Sequence, residues 1–528
     1  MTVEGTLQVL GEPNQRVRFG PHPQADDEDD PLLPGPQFGA PKWSGIQLTD
    51  SLSPENKILY TDFINAQPTD NKGSIGIIRS ECFIDHCTFS GTHYRILYGR
   101  NCSLTVQHCT FPDMFAEDEN PVAIGLDNVA EQLKVESANF PEAQGDPRFV
   151  GGFPVGGHFR VYHNDFYGNK GHNDVFDADS GHWGVSPVLD CRYNHFHGPV
   201  GDEHMDLGGD AYVAFNIFEN VNKDEFTSDR GYANAISTGD RGSGTTVVVA
   251  GNVFRNVEHA INGKVNTATI FEHNTCLDFF SDYDYRSGNI QQDIQASAVN
   301  LFVPEDFGPT PGDGAYLGYN VFHGSQDTPG LFIPGKGFPR LISWADQDVP
   351  ARPPKTSRIQ FYHNLIDSAL EDESIGERHP GGVFDPQWGE GNVRGLPDTR
   401  LAPNDLPYST EIPEWAYVIG ITETSGTEVS LSIGGPGIFA YRWRLDNGPW
   451  SDPIAIAPGR FPRDTPTTRT AVLLLHELTL GQHRLEIRGQ DFVGNWQPEK
   501  TPTVLEWEVE DNFTNIVLNE IRASGGDG

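Results

Sequence analysis

A short phrase repeats along the 528-residue chain and limits its possible folds more than any other feature. Each copy has Asn or Cys, then one variable residue, then a large apolar residue. The copies are HCTF (86–89 and 108–111), HNDF (163–166), YNHF (193–196), FNIF (215–218), GNVF (251–254), HNTC (273–276), YNVF (319–322) and HNLI (363–366). The apolar position advances by 22 residues from Phe89 to Phe111, and longer steps elsewhere indicate loops inserted between constant strands.

This spacing predicts a β-solenoid. Short runs such as LTVQHCTF and VVVAGNVF have strand character and show no helical periodicity. A single turn cannot bury its apolar face, but coils stacked about 4.8 Å apart can. The Asn residues then form one column of turn residues that tolerate the left-handed conformation and bond neighbouring backbones. We interpret Cys87 and Cys109 in this column as small buried substitutes for Asn rather than as catalytic thiols.

The charge balance excludes some classes of partner. The chain has 36 Lys plus Arg and 74 Asp plus Glu, and its net charge of −38 repels nucleic acid and anionic membranes. Its six Cys residues lack CxxC and zinc-type spacing. Because no apolar run reaches about 18 residues, we expect no membrane span. We expect an extracellular or cell-surface location, with the signal peptide removed or the chain a fragment, since the first residues lack signal-peptide character.

The repeat resembles that of the right-handed parallel β-helix superfamily, which includes pectate lyases and related bacterial surface proteins. The resemblance covers about residues 5–370. It implies an all-β chain with a right-handed parallel β-helix (β-solenoid) over residues 1–371. The repeat is more specific for this fold than for any activity.

The C-terminal part has a different pattern. The segment YRWRLDNGPWS (441–451) alternates and contains an Asp-Asn-Gly turn, which predicts a hairpin. The segment 478–498 resembles the last two strands of a fibronectin- or immunoglobulin-like module. We therefore expect a linker over 372–404 and a small Ig-like β-sandwich over 405–510. Residues 511–528 resemble a further linker and the start of a lamin-tail-like domain.

Two acidic segments stand out within the repeats, GHNDVFDADSG (171–181) and GDEHMDLGGD (201–210). Four coils align by a residue expected to point inward: Phe176, Met205, Ile236 and Ile261. The next residue points outward, because side chains alternate along a strand. This outward column is Asp177, Asp206, Ser237 and Asn262. Two residues before the apolar position, a second column contains Asp174, Glu203, Asn234 and His259.

Carboxylates stacked about 5 Å apart repel one another unless a cation neutralises them. Ca²⁺ takes six to eight oxygen ligands and suits such a cluster. The candidate calcium ligands are Asp174, Asp177, Asp202, Glu203 and Asp206. The alternative is a solvated acidic face balanced by Lys or Arg.

The second segment also resembles the G-D-D-G-x-D-L phrase with which one pectate lyase family holds calcium. It matches at Gly201, Asp202, Asp206 and Leu207, with Glu203 in place of an Asp. The resemblance implies that Asp177 contributes from the preceding coil. In that family a Lys base comes from the next coil, but Ser237 stands there and Lys264 follows one coil later.

Two chemistries remain open on an expected polysaccharide partner. In β-elimination, calcium would neutralise a uronate, and a basic residue would abstract a proton or balance charge. The basic candidates are Lys264, Arg230, Arg241 and Arg255. In glycoside hydrolysis, Asp177 and Asp206 would form the carboxylate pair.

Other residues nearby are candidates for supporting roles. His259 is one of several His residues in these coils, and it would serve as a general base or a hydrogen-bonded surface residue. Trp183 would stack on sugars or pack its loop. The long insertion between Phe111 and Phe166 is expected to wall one side of a groove. The opposite hypothesis is a non-catalytic adhesive surface module.

Overall fold

The computed structural model describes residues 1–20, 43–66, 73–92, 95–112, 114–115, 131–136, 145–170, 174–181, 187–200, 203–221, 233–239, 245–263, 267–277, 297–302, 314–323, 340–345, 359–366, 375–377, 387–388, 392–394, 413–424, 427–456, 469–509 and 518–522. Within these residues the chain forms strands and turns and no helix. No helix long and apolar enough to cross a membrane is therefore found among them.

Three long parallel sheets form the larger part of the structure, and each coil of the chain adds one strand to each sheet. The first sheet contains Thr2–Val3, Ile46–Thr49, Ile75–Ile78, Arg95–Arg100, Glu131–Glu136, Phe176–Ala178, Glu203–Leu207, Asn234–Thr238, His259–Gly263, Ser297–Phe302, Arg340–Ala345 and Ile375–Glu377. The second sheet contains Gln8–Leu10, Lys57–Leu59, Glu81–Asp85, Ser103–Gln107, Phe159–Tyr162, Leu189–Arg192, Ala211–Ala214, Thr245–Ala250, Thr267–Glu272, Gly314–Gly318, Ile359–Tyr362 and Gln387–Trp388.

The third sheet completes each coil. It contains Val17–Phe19, Thr61–Ile64, Thr88–Ser90, Thr110–Phe111, Asp165–Lys170, His195–Val200, Ile217–Val221, Val253–Val257, Thr275–Leu277, Val321–His323, Leu365–Ile366 and Val393–Arg394. A short strand, Met114–Phe115, also pairs with Asp165–Lys170, and Phe149–Val150 forms a small hairpin with Phe153–Pro154. The prediction of an all-β, parallel β-solenoid-like architecture is confirmed.

The repeated apolar position forms a stack of rings inside the solenoid. Successive ring centroids of Phe111, Phe166, Phe196 and Phe218 lie 4.5, 4.7 and 4.8 Å apart. These separations match the spacing between neighbouring strands, so each ring packs on the ring of the next coil. The stack belongs to one continuous core that runs the length of the solenoid.

The repeated Asn forms a hydrogen-bonded ladder. Asn194 Oδ1 accepts the main-chain N–H of Asn164 at 2.9 Å, while Asn164 Nδ2 donates to Val106 O at 3.0 Å. The pattern continues through Asn216, Asn252, Asn274, Asn320, Asn364 and Asn392. The left-handed residue is not the Asn but the residue before it, with φ of 54° at His163 and 58° at Tyr193.

Cys87 and Cys109 occupy the same column, as predicted. Both are free and buried, and the main-chain N–H of Cys87 donates to Cys109 Sγ at 3.4 Å. Burial raises the pKa of the Cys109 thiol well above its usual value. A thiol that stays protonated acts here as a weak hydrogen-bonding substitute for Asn.

The solenoid differs from the sequence-based boundaries at two places. Strand Glu131–Glu136 pairs with the first sheet on both sides, so the long insertion contains part of a regular coil. The three sheets also continue through Ile375–Glu377, Gln387–Trp388 and Val393–Arg394, which lie in the predicted linker. The apolar pattern is weak in these short strands, and this explains why the prediction ended the solenoid too early.

Two small antiparallel sheets form the C-terminal part. One contains Tyr417–Thr424, Val429–Gly434 and Ala471–Leu475. The other has the order Ile454–Ala455, Ile438–Leu445, Gly481–Asp491, Thr503–Val509 and Leu518–Arg522. They enclose their own apolar core, in which Tyr441 and Trp507 are buried. The final strand, which the sequence suggested as the start of another domain, instead pairs with Thr503–Val509.

This C-terminal part packs on the outer face of the second sheet. Phe439 and Phe492 contact an apolar patch of the solenoid that includes Tyr212, Val248 and Tyr316. Two buried ion pairs cross the same contact, Arg469 Nε with Glu272 Oε2 at 2.7 Å and Arg192 Nη2 with Asp491 Oδ2 at 2.6 Å. The two parts therefore form one packed unit.

Candidate functional site

The acidic columns lie on the first sheet in the register that the sequence predicted. Asp177 pairs with Asp206, Asp206 with Ser237, and Ser237 with Asn262 on successive strands. The residues before them are fully buried in the solenoid core: Phe176, Met205, Ile236 and Ile261. Alternation along each strand therefore turns Asp177 and Asp206 to the outer face, where both are half-buried.

The second column is buried and hydrogen-bonded. The main-chain N–H of Glu203 donates to Asp174 Oδ1 at 3.3 Å, and Asn234 Nδ2 donates to Glu203 Oε1 at 3.3 Å. His259 Nδ1 lies 2.9 Å from Asn234 Oδ1. All four side chains are at most 8% exposed. His259 is thus a member of an internal polar column, which does not suit the role of a solvent-facing general base.

Burial changes the protonation of Asp174. The pKa of this carboxyl is raised well above its usual value, first by burial and then by the nearby carboxylates of Glu203, Asp206 and Asp177. Such surroundings favour the protonated form of this carboxyl, since a further negative charge would be both desolvated and repelled.

Lys134 is the site residue that the sequence reasoning missed. It precedes Asp177 in the outward column, and its ammonium group forms an ion pair with the Asp177 carboxylate. Next to it, Tyr98 Oη donates to Glu136 Oε2 at 2.8 Å. The alternation in QLKVE (132–136), with Leu133 and Val135 in the core, was the available signal.

A glycine shapes the outer face beside these carboxylates. A Cβ atom at Gly208 would meet the end of the exposed Asp179 side chain, which can turn aside, whereas a Cβ atom at Gly209 would meet the main-chain carbonyl of Ser180 on the preceding coil. The second Gly of the Gly-Gly pair is therefore the one that the main chain requires. The carboxylate of Asp179, which is exposed, joins the same face as Asp177.

Of the remaining predicted residues, Arg255 is the one that the structure describes, and it lies away from this face. Arg255 lies on the third sheet, where its Nη1 donates to Glu219 Oε1 at 2.7 Å. Five predicted residues lie outside the described residues: Trp183, Asp202, Arg230, Arg241 and Lys264. The described site thus consists of Lys134 and four predicted acidic residues, Asp174, Asp177, Glu203 and Asp206.

Carboxylate oxygens are the donors that hard cations such as Ca²⁺ prefer. Asp177 and Asp206 offer two such donors on the outer face of adjacent strands, whereas Asp174 and Glu203 belong to the buried column. The ammonium group of Lys134 forms an ion pair with Asp177. A divalent ion would have to compete with this ammonium group.

Comparisons with known proteins add no family to this picture. No family model matches the chain, and no match was found among curated proteins or among solved structures. The case for a function therefore rests on the residues and their geometry.

Proposed function

We propose that this protein is an extracellular polysaccharide-acting enzyme that hydrolyses glycosidic bonds on the outer face of the first sheet. The observation that carries the proposal is the pairing of Asp177 with Asp206 on the outer face of adjacent strands, with the Lys134 ammonium group beside Asp177. Most glycoside hydrolases need one protonated carboxyl as general acid and one carboxylate as base or nucleophile. Neighbouring carboxyl groups whose environments separate their pKa values are typical of this chemistry.

Each residue has a role in this proposal. Asp177 and Asp206 form the carboxyl pair, one as general acid and the other as nucleophile or base, because they occupy paired positions on neighbouring strands. Lys134 forms an ion pair with Asp177, which lowers the negative charge next to Asp206 and holds Asp177 in place. Neighbouring strands lie about 5 Å apart, near the carboxyl separation of a retaining pair. The hydrogen-bonded strands fix this spacing.

The charge of the face favours a neutral glycan. Asp177, Asp179 and Asp206 share the face with Lys134, and the chain as a whole has a net charge of −38. A uronate polymer would be repelled unless a cation lay between it and these carboxylates. Neutral sugars carry no such penalty.

A second candidate is calcium-assisted β-elimination on an acidic polysaccharide. It is favoured by Lys134, an amine beside Asp177, although Lys134 comes from the coil before Asp177 and the resemblance to pectate lyases places the Lys base on the coil after Asp206. Calcium held by Asp177 and Asp206 would neutralise the uronate and acidify its α-proton. Displaced from Asp177 by the ion, the Lys134 amine would be available as the base.

We also infer finer features of the fold. Parallel crossover connections are right-handed in about 98% of cases, which favours right-handed winding of the solenoid. The two antiparallel sheets of the C-terminal part enclose a common core, as expected of an Ig- or fibronectin-like sandwich. A sandwich of this kind on a solenoid also suits the alternative function, a non-catalytic surface module in which calcium serves structure.

The test is a panel of neutral and acidic polysaccharides, assayed for new reducing ends and for absorbance at about 235 nm, with calcium or with chelator. We expect reducing ends from a neutral glycan without an absorbance change. Asp177→Asn and Asp206→Asn should each lower the rate by about 10²–10⁴-fold. The control is Asp146→Asn, which removes one member of an exposed ion pair with Arg148 away from the site.

The other outcomes are equally informative. Calcium-dependent absorbance without hydrolysis, lost in Lys134→Met, would replace hydrolysis with β-elimination. No product from any glycan would overturn both enzymes and favour the surface module. Calorimetric titration with calcium tests metal binding independently of any reaction. If calcium binds at Asp206, the Asp206→Ala variant should no longer bind it.

A further inference from the structure

A second polar cluster lies on the outer face of the third sheet. The stacked Phe rings of this sheet point inward, so the residues on either side of each ring point outward. On three successive strands these outward residues are Asp165, then His195 and His197, then Glu219. Asp165 pairs directly with His195, and His197 pairs with Glu219.

The ligand-type atoms of this cluster converge. His197 Nε2 lies 2.9 Å and His195 Nδ1 lies 3.5 Å from the same Asp165 Oδ1. His195 Nε2 lies 3.4 Å from Glu219 Oε2, and the two imidazole rings are stacked with centroids 4.3 Å apart. The side chains are between 21% and 40% exposed, so an ion can reach them from solvent.

We propose that Asp165, His195 and His197 bind a divalent first-row transition metal such as Zn²⁺, with Glu219 as the outer partner of His195. Zn²⁺ takes imidazole nitrogen and carboxylate oxygen at about 2.0–2.2 Å in tetrahedral sites, which places the ligand atoms about 3.4 Å from one another. The distances of His197 Nε2 and His195 Nδ1 from Asp165 Oδ1, 2.9 and 3.5 Å, are close to that separation. Two imidazoles select against Ca²⁺ and Mg²⁺, which prefer oxygen ligands.

Neighbouring residues hold the ligands in position. Arg255 Nη1 donates to Glu219 Oε1 at 2.7 Å, and this bond leaves Oε2 directed toward His195. The Tyr167 ring packs on His197 with centroids 3.9 Å apart. All of these side chains project from paired strands, which are more rigid supports than loops.

The second nitrogen of His195 faces the outer partner. His195 Nε2 is shielded from solvent and has no hydrogen-bond partner within the part of the chain that the structure describes. It lies 3.4 Å from Glu219 Oε2. With Nδ1 on the metal ion, the proton of this ring would be on Nε2 and directed toward the Glu219 carboxylate, as is usual for a metal-bound His.

A similar group elsewhere provides the matched control. Asp85, His86 and His108 also lie together, and their exposed imidazoles are stacked 4.6 Å apart. Both Nδ1 atoms approach a single oxygen, Asp85 Oδ1, at 2.7 and 2.9 Å. The described contacts of its two imidazoles include no second carboxylate, so the outer partner Glu219 distinguishes the third-sheet cluster from this control group.

The test is calorimetric titration of the full chain with zinc chloride, in the presence of excess calcium. We expect one Zn²⁺ per chain, and a loss of affinity in His195→Ala and in His197→Ala of at least the roughly 10–100-fold that follows loss of a ligand's outer partner. Asp165→Asn should weaken binding in the same direction. His108→Ala, a change at equal exposure in the control group, should leave the affinity unchanged.

Three results would overturn the proposal: no binding by the wild type, an equal loss in His108→Ala, or displacement of zinc by calcium. Thermal unfolding provides a second readout, because an ion that binds only the folded state raises Tm in the wild type but not in His195→Ala. The hydrolase proposal concerns the first sheet, so failure of either proposal leaves the other standing.

Discussion

Removing one rung of the Asn ladder should destabilise the solenoid strongly. Asn216 is 1% exposed, and its side chain makes bonds to two neighbouring coils. Its Oδ1 accepts the main-chain N–H of Asn194 at 2.8 Å, and its Nδ2 donates to Cys191 O at 3.0 Å and to Asn252 Oδ1 at 3.0 Å. In Asn216→Ala the partners stay buried without the groups that satisfied them.

The magnitude follows from the orphaned main-chain groups. A buried donor or acceptor left without a partner costs about 1–3 kcal/mol. Two main-chain groups lose their partner, the N–H of Asn194 and the carbonyl of Cys191, so the free energy of unfolding should fall by about 2–6 kcal/mol. Asn216→Cys should cost less, because Cys109 Sγ accepts a main-chain N–H in the same column.

Equilibrium unfolding in urea, followed by circular dichroism, measures the effect, and hydrogen exchange of the segment 187–200 localises it. Thr88→Ala is the control, since this exposed hydroxyl bonds Asp62 Oδ1 at 2.7 Å on the surface of the same solenoid and should change stability by about 0.5 kcal/mol or less. If Asn216→Ala unfolds like Thr88→Ala, the ladder does not stabilise the coils as argued. Faster exchange of Asn194 without global destabilisation would confine its role to the turn.

Three further predictions concern packing and pH. Arg469→Met removes the ion-pair partner of the fully buried Glu272 carboxylate, which should lower the free energy of unfolding by about 3–5 kcal/mol. The C-terminal part should then become sensitive to limited proteolysis, and an unchanged digestion pattern would contradict its packing on the solenoid. Phe196→Ala opens a cavity in the ring stack and should lower the free energy of unfolding, measured in urea, by about 3–5 kcal/mol. A much smaller loss would show that the rings do not form a continuous stack. Burial lowers the pKa of His204 to about 4, so the unfolded chain takes up a proton that the folded chain does not, and stability should fall as pH drops from about 6.5 toward 4. His204→Gln, which keeps a donor to Gly198 O, should flatten that pH dependence, and an unchanged slope would show that other groups cause it.

The parts of the fold that could be predicted are those encoded in local repeats. The repeated phrase correctly predicted the column of Asn side chains and the column of Phe rings, because one Asn and one Phe in each coil fix the register of that coil. The alignment of Asp177 with Asp206 followed from the same register. No equivalent phrase marks strand Glu131–Glu136, and Lys134 was therefore missed although it contacts Asp177.

The third-sheet cluster was hidden in the variable position of the repeat. Asp165 and His195 are the third residues of HNDF and YNHF, where any residue seemed acceptable. That position faces outward on neighbouring strands, so its side chains form a column of their own. The contact between the solenoid and the C-terminal part could not be predicted from local sequence patterns, because its partners Arg192 and Asp491 are 299 residues apart.

One feature of the sequence does indicate that the outer face of the second sheet is covered. Strands Ala211–Ala214 and Thr245–Ala250 are buried along their whole length, whereas a strand with one solvated face alternates. Val213 and Val249 face the solenoid core, while Tyr212 and Val248 face the C-terminal part. The continuous apolar run VVVA therefore indicates a sheet covered on both sides. Among the described residues the C-terminal part packs on this second sheet, while the polar clusters of the first and third sheets lie on two other faces of the solenoid.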